Sequence, residues 1–431
     1  MKWLPLFPDT TKIVDDALAI AGFSLASLAD EYGTPLYVYD RATLDHSVAG
    51  YRASLASTYG AAASITYAGK AYLSKALAQW TQFHNLWVDC TGEGEIAIAK
   101  AGAVPRERIL SHGVNKSPAD LKSALQFAGT IVVDNLDELR RIQLPITNFQ
   151  SHPSLWLRLL PGLAVETHHT HTQTGQHDSK FGMTREEIVE AARFCREHGL
   201  TLNGIHFHQG SNFHDPSPLI KAIELGLDLA REINFGNEWH FSPGGGWGVA
   251  YTEEQLPQPN IGDYVQTIAE TVTKGCQARG LSLPHLHLEP GRSLVARAGV
   301  ALYRVGALKR RGDKTWILVD GGMTDNPRYA LYGARYACVA ASAVSRERSG
   351  KASIAGPFCE SGDILIDEVW MPEVEVGETI AIPVSGAYQL SMSSNYNGAR
   401  RPAVVWLEEG RARLIQRRET TDDLLRRDEG L

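Results

Sequence analysis

Lys70 is the first residue in the sequence whose position suggests covalent chemistry. It follows the apolar, β-branched run "SITYAG" (64–69) and precedes a segment that favours a helix. Most lysines at the end of a strand simply lie on the surface. A lysine amine held in a pocket, however, loses its proton readily and becomes a nucleophile for carbonyl compounds. Lys70 is therefore a candidate to form an imine with an aldehyde, and the rest of the chain must decide between these two interpretations.

The later apolar runs are also followed by polar residues or glycines, at the position that Lys70 occupies after the first run. These residues are Asp89, His112, His206, His208, Ser211, Gly244, Gly245, Gly246, Glu289, Gly291 and Arg292. The triple glycine would let backbone N–H groups approach a phosphate, and a carboxylate such as Glu289 can keep a basic ring nitrogen protonated. The glycines alone would equally suit another phosphate ligand. Together with Lys70, and with His208 to stack on a planar ring, they describe a site for pyridoxal 5'-phosphate, which accepts electrons from the α-carbon of an amino acid.

Eight short apolar runs alternate with amphipathic, helix-like segments. The runs are "SITYAG" (64–69), "LWVDC" (86–90), "RILSHG" (108–113), "TIVVD" (130–134), "LWLRLLP" (155–161), "GIHFHQG" (204–210), "WHFSPGG" (239–245) and "HLHLEPG" (285–291). This alternation favours a (β/α)8 barrel of the TIM type, whose active site forms at the carboxyl ends of the strands. Periodicity does not report closure, so an open doubly wound sheet stays an alternative.

The pattern changes after about residue 295. Segments such as "GETIAIPVSGAY" and "RPAVVWLEEGRARLIQRRE" combine strand-like composition with short turns. They predict a second, mostly antiparallel β domain, either a barrel or a sandwich, to which the early strand "PLYVYD" (35–40) also fits. The predicted class is therefore α/β plus all-β, with a coenzyme-binding barrel over residues 42–292. Residues 1–41 and 293–431 would form the β domain that completes the active site.

Composition narrows the class of protein further. With 43% hydrophobic and 21% charged residues, the chain has the composition of a soluble globular enzyme. Its 431 residues are too many for one ordinary hydrophobic core, so we expect two domains. A net charge of −7 without a long basic run argues against nucleic acid or a membrane surface as a partner. Five scattered cysteines predict neither a disulfide framework nor a zinc site, and they favour the cytoplasm. We also expect no signal peptide and no membrane span.

Several segments together resemble the alanine-racemase-like, fold type III class of pyridoxal-phosphate enzymes, and within it the diaminopimelate decarboxylases. The matching segments are "YAGKA", "HFHQGSN", "PGGGWGVAY", "EPGRSLVARAG", "TGQHDSKFGM", "DGGMTDNPRYALYGARY", "GPFCESGDIL", "GAYQLSMSSNYN" and "QRRETTDDLL". The resemblance extends over roughly residues 30 to 425. Gln209, Asn212 and Tyr329 depart from the pattern inside matching segments, and the sequence leaves their effect on specificity open.

The resemblance implies a role for each matching residue. Lys70 would carry the coenzyme, His208 would stack on its ring, and Glu289 would pair with the ring nitrogen. Coenzyme contacts are implied for Lys70, Asp89, His208, Ser211, Gly245, Gly246, Glu289, Gly291, Arg292 and Tyr388. Substrate contacts are implied for Arg292, Arg328, Tyr332, Glu360 and Tyr388, and Cys359 would be the proton donor. Cys359 and Glu360 would come from a partner subunit, which implies a homodimer with shared active sites.

Diaminopimelate suits these residues because it carries a second amino-acid head at its far end. An arginine can hold that distal carboxylate through two parallel hydrogen bonds, and a glutamate can pair with the distal ammonium. The expected reaction is decarboxylation of meso-2,6-diaminopimelate to L-lysine and carbon dioxide, the last step of lysine biosynthesis. Alternatives are decarboxylation of ornithine, arginine or a carrier-tethered glutamyl group, racemisation of an amino acid, or non-catalytic coenzyme binding. Water in place of Cys359 also remains open as the final proton donor.

Overall fold

The computed structural model describes residues 1–146, 152–163 and 178–431, and the chain divides into two units. The barrel unit comprises Val48–Gly248 and Asn260–Arg292, and the β unit comprises Met1–Ser47, Val249–Pro259 and Ser293–Leu431. Of the matching segment "TGQHDSKFGM", residues 174–177 lie outside the described residues.

Eight parallel strands close into a barrel in the barrel unit. In chain order they are Ala63–Ala68, Trp87–Cys90, Ile109–Ser111, Thr130–Val133, Ser154–Arg158, Leu202–His206, His240–Ser242 and His285–Leu288. Each overlaps one of the eight apolar runs, and the eighth strand pairs with the first. The prediction of a closed barrel rather than an open sheet is therefore confirmed.

The helices have recognisable start and stop signals in the sequence. Over the described residues they are Leu25–Tyr32, Arg41–Thr58, Lys75–Phe83, Glu93–Ala101, Pro118–Phe127, Leu136–Ile146, Arg185–Glu197, Pro218–Ile233, Ile261–Arg279, Arg292–Val295, Arg328–Tyr332 and Thr421–Leu425. Ser117 and Thr184 each begin a helix with a capping box, in which side chain and backbone satisfy each other's orphan donors. Gly280, with φ +66°, ends the last long barrel helix in the left-handed conformation that glycine adopts without strain.

The barrel strands are buried on both faces, which explains their continuous apolar sequence. Leu110, Val132 and Trp156 form one cluster of the buried core, with Trp87 packed against it. Such a close-packed interior resists rearrangement, so the carboxyl ends of the strands are fixed platforms for side chains.

A nine-stranded, mostly antiparallel sheet dominates the β unit, beside a small three-stranded sheet. The strands of the large sheet are Leu36–Asp40, Gly299–Arg311, Lys314–Val319, Val339–Ala340, Gly350–Ala355, Ile364–Met371, Thr379–Ile382, Ala403–Glu408 and Arg411–Gln416. The small sheet contains Lys12–Val14, Ala17–Ile20 and Phe23–Ser24. Leu36–Asp40 pairs with Gly299–Arg311 and Ala403–Glu408, so the early strand belongs to this sheet, as the sequence indicated.

The segment Val249–Pro259 belongs to the β unit, although the sequence analysis placed residues 249–259 inside the barrel domain. Its contacts explain the assignment. The backbone carbonyl of Tyr251 accepts a hydrogen bond from Ala337 N–H at 3.2 Å, and Glu253 pairs with Arg348 at 2.6 Å. Both contacts join residues far apart in the chain, which no local sequence pattern reports.

Within the described part of the chain, none of the helices combines the length and the hydrophobicity needed to cross a membrane.

Candidate active site

Lys70 lies in a short 3₁₀ turn, Gly69–Ala71, directly after the first barrel strand. Its side chain is exposed at the carboxyl end of the strands. Gly69 cannot carry a side chain here, because a Cβ would lie 2.7 Å from the backbone oxygen of Asp89. Burial raises the pKa of Asp89, and the positive charge of Lys70 partly opposes that rise. For His208, Lys70 is the next largest cause of the lowered pKa after burial. Lys70 is thus electrostatically coupled to the other strand ends.

Glu289 is the best-anchored carboxylate at this end of the barrel. Ser242 Oγ donates to its Oε1 at 2.7 Å, and His206 Nε2 donates to its Oε2 at 3.1 Å. Burial would raise the pKa of Glu289, but His206, His112 and the hydrogen bond from Ser242 hold that pKa well below its usual value. Burial is the largest cause of the lowered pKa of His206, and the carboxylate of Glu289 opposes it. Glu289 is therefore an ionised carboxylate fixed in one orientation.

Asp89 and His112 form a second, less satisfied pair beside Glu289. His112 Nε2 lies 3.8 Å from Asp89 Oδ1 and 3.9 Å from Glu289 Oε1. Both Asp89 Oδ1 and His112 Nε2 are buried, and among the described residues neither has a hydrogen-bond partner. Burial is the main reason that the pKa of Asp89 is raised to about 7. The charge of Lys70 opposes this rise, and the charge of Glu289 adds to it. Unsatisfied buried polar atoms with displaced pKa values are characteristic of ligand sites.

Arg158 and Asp134 also belong to this end, although sequence analysis did not single them out. Arg158 ends the fifth strand, is 8% exposed, and lies 3.5 Å from Asp134 Oδ1, directly after the fourth strand. Gly182 N–H also donates to Asp134 at 3.2 Å. The sequence could have indicated both residues by their position, because each stands at the carboxyl end of a predicted strand, as Lys70 and Glu289 do.

The glycine run Gly244–Gly246 requires the absence of side chains. Gly244 and Gly246 have φ angles of +76° and +106°, and a Cβ on Gly245 would lie 1.9 Å from the backbone oxygen of Glu289. Gly245 N–H donates to His208 Nδ1 at 3.3 Å, which fixes the tautomer and the orientation of that ring. Backbone amides in this conformation can surround an anion.

Arg292 and Ser211 meet beside this run. Arg292 Nη2 donates to Ser211 Oγ at 2.9 Å, and Arg292 is only 6% exposed. Gly291, which precedes it, packs so closely that a Cβ would lie 3.0 Å from the Cβ atoms of Ala68 and Ala71. A buried guanidinium, a hydroxyl and a glycine run together form a donor set suited to a phosphate.

These barrel residues fit the groups that pyridoxal 5'-phosphate presents. The coenzyme would need an amine for its aldehyde, an anionic partner for its ring nitrogen and donors for its phosphate. Lys70, Glu289 and the set around Arg292 offer these three groups on one barrel end. The buried, unsatisfied Asp89 Oδ1 provides a further acceptor.

The remaining predicted residues lie in the β unit. Arg328 begins the short helix Arg328–Tyr332 and is 8% exposed. Its Nη1 donates to Tyr336 Oη at 2.5 Å, and its guanidinium lies 5.0 Å from the centre of the Tyr251 ring. This environment differs from the exposed ion pair that is usual for arginine. Tyr332, at the end of the same helix, is half-buried.

Cys359 and Glu360 are both exposed on one loop of the β unit. Cys359 N–H donates to Asn397 Oδ1 at 3.1 Å, and Glu360 Oε1 accepts from Gly362 N–H at 3.3 Å. Asp363 anchors this loop, since its carboxylate accepts from Phe358 N–H at 2.8 Å and from Met323 N–H at 2.7 Å. Sequence reasoning missed Asp363, although it closes the matching segment "GPFCESGD".

Tyr388 and the three departing residues have individual environments. Tyr388 has φ +66°, as Asn212 has φ +64°, a conformation that non-glycine residues adopt mainly where function or packing requires it. Gln209 is 1% exposed, and neither amide atom has a hydrogen-bond partner among the described residues. Tyr329 Oη reaches Asp367 at 3.5 Å.

Comparisons with known proteins agree with this geometry. The family model of the pyridoxal-dependent decarboxylases, pyridoxal binding domain, matches residues 46–296. A diaminopimelate decarboxylase of Bacillus subtilis is 38% identical, over 95% of both chains. A diaminopimelate decarboxylase of Mycobacterium tuberculosis is 36% identical, over 97% of this chain and 96% of that one.

Solved structures give the same answer. The diaminopimelate decarboxylase of M. jannaschii in complex with L-lysine has a TM-score of 0.90 and 30% identity over 98% of both chains. The diaminopimelate decarboxylase of Helicobacter pylori with L-lysine has a TM-score of 0.83 and 30% identity, over 93% of this chain and 98% of that one. With a matching domain over more than half its length and full-length relatives identical at more than a third of positions, the chain belongs to the pyridoxal-dependent decarboxylase family, among the diaminopimelate decarboxylases.

Proposed function

We propose that this chain decarboxylates meso-2,6-diaminopimelate to L-lysine and carbon dioxide with pyridoxal 5'-phosphate as coenzyme. The single observation that carries the coenzyme chemistry is the ionised, doubly anchored Glu289 at the barrel end that carries Lys70. The choice of substrate is supported by full-length relatives of that name and by two similar structures that contain L-lysine.

Bound pyridoxal 5'-phosphate would supply the acceptor for the electron pair left when carbon dioxide departs. Glu289 would hold a proton on the ring nitrogen, and its own orientation is set by Ser242 and His206. His208, whose ring is fixed by Gly245 N–H, would cover one face of the coenzyme ring. The donors are already oriented before the reaction, so little reorganisation is needed as charge develops.

Lys70 would hold the coenzyme through its amine, the nucleophile that an aldehyde requires. Arg292, Ser211, Gly245, Gly246 and Gly291 would bind the phosphate. Asp89, with its pKa near 7, would accept a hydrogen bond at the ring or exchange a proton there. These assignments rest on the matching motifs and on the donors and acceptors just described.

Residues of the β unit would recognise the substrate. Arg328 and Tyr332 would bind the distal carboxylate, and Glu360 the distal ammonium, while Arg292 and Tyr388 would contact the substrate beside the coenzyme. Arg328 is supported by its two aromatic neighbours, which hold the guanidinium in place without neutralising it. Ornithine has no distal carboxylate and would leave such an arginine without its partner.

We further propose that Cys359 returns a proton to the α-carbon and that Cys359 and Glu360 act in the site of a partner subunit. The support is the segment "GPFCESGD" and the exposure of both side chains, which leaves them accessible to another chain. The functional form would then be a homodimer, and its predicted location is the cytoplasm.

The test is a product analysis of the purified, coenzyme-loaded protein with meso-diaminopimelate. We expect equimolar carbon dioxide and lysine, and neither product from protein stripped of coenzyme. Coenzyme binding without lysine formation would reject the proposed substrate while leaving the barrel site intact. A different product from the same substrate would reject the reaction.

A further inference from the structure

Three histidines share the interior of the barrel at its amino end, opposite to Lys70. His240 begins the seventh strand, and His285 and His287 lie in the eighth strand, which begins at His285. The two strands pair in register with His240 beside His285. Barrel interiors are normally filled by branched aliphatic side chains, so three imidazoles in one layer require a reason.

The spacing of the three rings suits one metal ion. One ligand nitrogen from each histidine can be chosen so that all three lie within 4.8 Å of one another. The ring centres are 4.5, 5.1 and 5.2 Å apart. Two imidazoles bound at about 2.1 Å to one tetrahedral Zn²⁺ would place their ring centres about 5 Å apart. The observed separations match this value. The rings of His240 and His285, and those of His285 and His287, stack at interplanar angles of 23° and 24°, so they would have to rotate to direct one nitrogen each at a common ion.

A buried atom without a partner supports this reading. His287 is fully buried, its Nε2 lies 2.9 Å from His240 Nδ1, and its Nδ1 has no hydrogen-bond partner among the described residues. A purely structural histidine would be expected to satisfy both nitrogens. A metal ion bound between this imidazole and its two neighbours would remove the free-energy cost of burying a polar nitrogen without a hydrogen bond.

Neighbouring residues orient the imidazole rings and enclose the cluster. Ser64 Oγ lies 2.8 Å from His285 Nε2 and so fixes the orientation of that ring. The rings of Trp87 and Trp156 each lie 4.8 Å from His287, which gives the cluster apolar walls. His240 and His285 are only partly buried, so the cluster is not sealed from solvent.

We propose that His240, His285 and His287 bind one divalent transition-metal ion of the Zn²⁺ class, with water in a fourth position. Imidazole is a preferred ligand of this class, and three protein ligands plus water is an established coordination for Zn²⁺. The scattered cysteines, which led us to expect no zinc site, do not bear on a site built from histidine alone. At the amino end of the barrel such an ion would stabilise the fold and take no part in the reaction.

His112, His206 and Glu289 also come close enough to hold an ion, but they belong to the active site described above. The test therefore uses tag-free protein loaded with pyridoxal 5'-phosphate. The protein is stripped with a chelator, mixed with a small excess of ZnCl₂, and dialysed against metal-free buffer. Bound zinc is then measured by atomic emission for the wild type, H240Q, H285Q and the control variant H198Q, which changes an exposed histidine at a helix end.

The proposal predicts one zinc per chain in the wild type and in H198Q, and loss of that zinc in H240Q and H285Q. The coenzyme absorbance and carbon dioxide release of the two cluster variants should stay at the wild-type level, which also shows that they fold. Wild-type protein that retains no zinc, or an H285Q variant that retains as much as the wild type, would overturn the proposal. As a measurement that needs no variant, Co²⁺ added to the stripped wild type should give the visible spectrum of a four-coordinate imidazole site, and its absence would count against the site.

Discussion

Apart from the exposed Lys70, the barrel unit holds its candidate charged groups in surroundings opposite to those of Cys359 and Glu360 in the β unit. Glu289 and Asp89 in the barrel are nearly fully buried and have displaced pKa values. Cys359 and Glu360 in the β unit are exposed, and the loop that carries them is held through its backbone by Asp363 and Asn397. The barrel therefore determines the ionisation of the buried side chains Glu289 and Asp89. The β unit instead holds the backbone of the loop that carries Cys359 and Glu360.

This difference separates two tasks. Groups that stabilise developing charge work best when they are desolvated and oriented in advance. Groups that choose between substrates must meet the solvated ends of a molecule as it binds. Arg328 belongs to the β unit, but its surroundings are intermediate between these two cases. It is 8% exposed, and it donates a hydrogen bond to Tyr336. The comparison predicts that variants of the buried barrel groups lower turnover, and that variants of the proposed substrate-binding residues Arg328 and Glu360 change substrate affinity. Cys359 is the exception in the β unit, because a proton donor acts on turnover.

The largest effect is expected for Lys70→Ala. Loss of the amine should lower carbon dioxide release by at least about 10³-fold, as removal of a covalent catalytic group usually does. It should also remove the visible-edge absorbance of lysine-bound coenzyme. The control is Lys75→Ala, an exposed lysine at the start of the next helix. A wild-type spectrum in Lys70→Ala would refute the assignment.

Glu289→Gln should come next. A neutral amide cannot hold the ring nitrogen protonated, so we expect kcat to fall by about 10²-fold with little change in KM. Ser242→Ala, which removes only one of the two anchoring donors, should cause a smaller loss in the same direction. Turnover kinetics check both variants, and unchanged kcat in Glu289→Gln would break the proposed division between the units.

Arg328→Ala should act on affinity instead. The loss of charged hydrogen bonds worth about 1.5–3 kcal/mol corresponds to an increase in KM for diaminopimelate of about 10- to 150-fold. Arg335→Ala, an exposed arginine 3.9 Å from Glu254, is the matched control and should leave KM unchanged. If kcat falls while KM stays constant, the substrate role of Arg328 is wrong.

A mixing experiment sharpens the comparison for Cys359. If each site combines Lys70 of one chain with Cys359 of its partner, inactive Lys70→Ala and Cys359→Ala proteins should restore activity when mixed. Random exchange makes half of the dimers hybrid, each with one intact site, so recovery should approach about a quarter of wild type. Absence of recovery after verified subunit exchange would argue against shared sites.

The smallest effect concerns pH and stability of the coenzyme-free protein. The folded-state pKa of Asp89 is raised from 3.8 to about 7, so the folded state binds the extra proton between these values. The contribution of Asp89 to stability is therefore present at low pH and is lost as pH rises from about 4 to about 7. Thermal unfolding across this range should show a shallower fall in Asp89→Asn. An equal slope in the wild type and in Asp89→Asn would contradict the raised pKa.

The sequence predicted those features that local chemistry determines. The eight barrel strands were visible as apolar runs, and Lys70 and Glu289 were visible because they end such runs. The contacts of Val249–Pro259 with Ala337 and Arg348, by contrast, are long-range and were not visible in the sequence. The pairing of Arg158 with Asp134 depends on strands becoming neighbours in the closed barrel, and the same holds for His240 beside His285. Pairings of this kind appear only when the register of the sheet is known.

Parallel measurement of carbon dioxide release from meso-diaminopimelate, ornithine, arginine and lysine tests the central claim most directly. The coenzyme-loaded wild type should release carbon dioxide from diaminopimelate alone, because only that substrate carries the distal carboxylate and ammonium that Arg328 and Glu360 are proposed to bind. Comparable release from ornithine, arginine or lysine would contradict this account of substrate choice, and would redirect attention to Gln209, Asn212 and Tyr329.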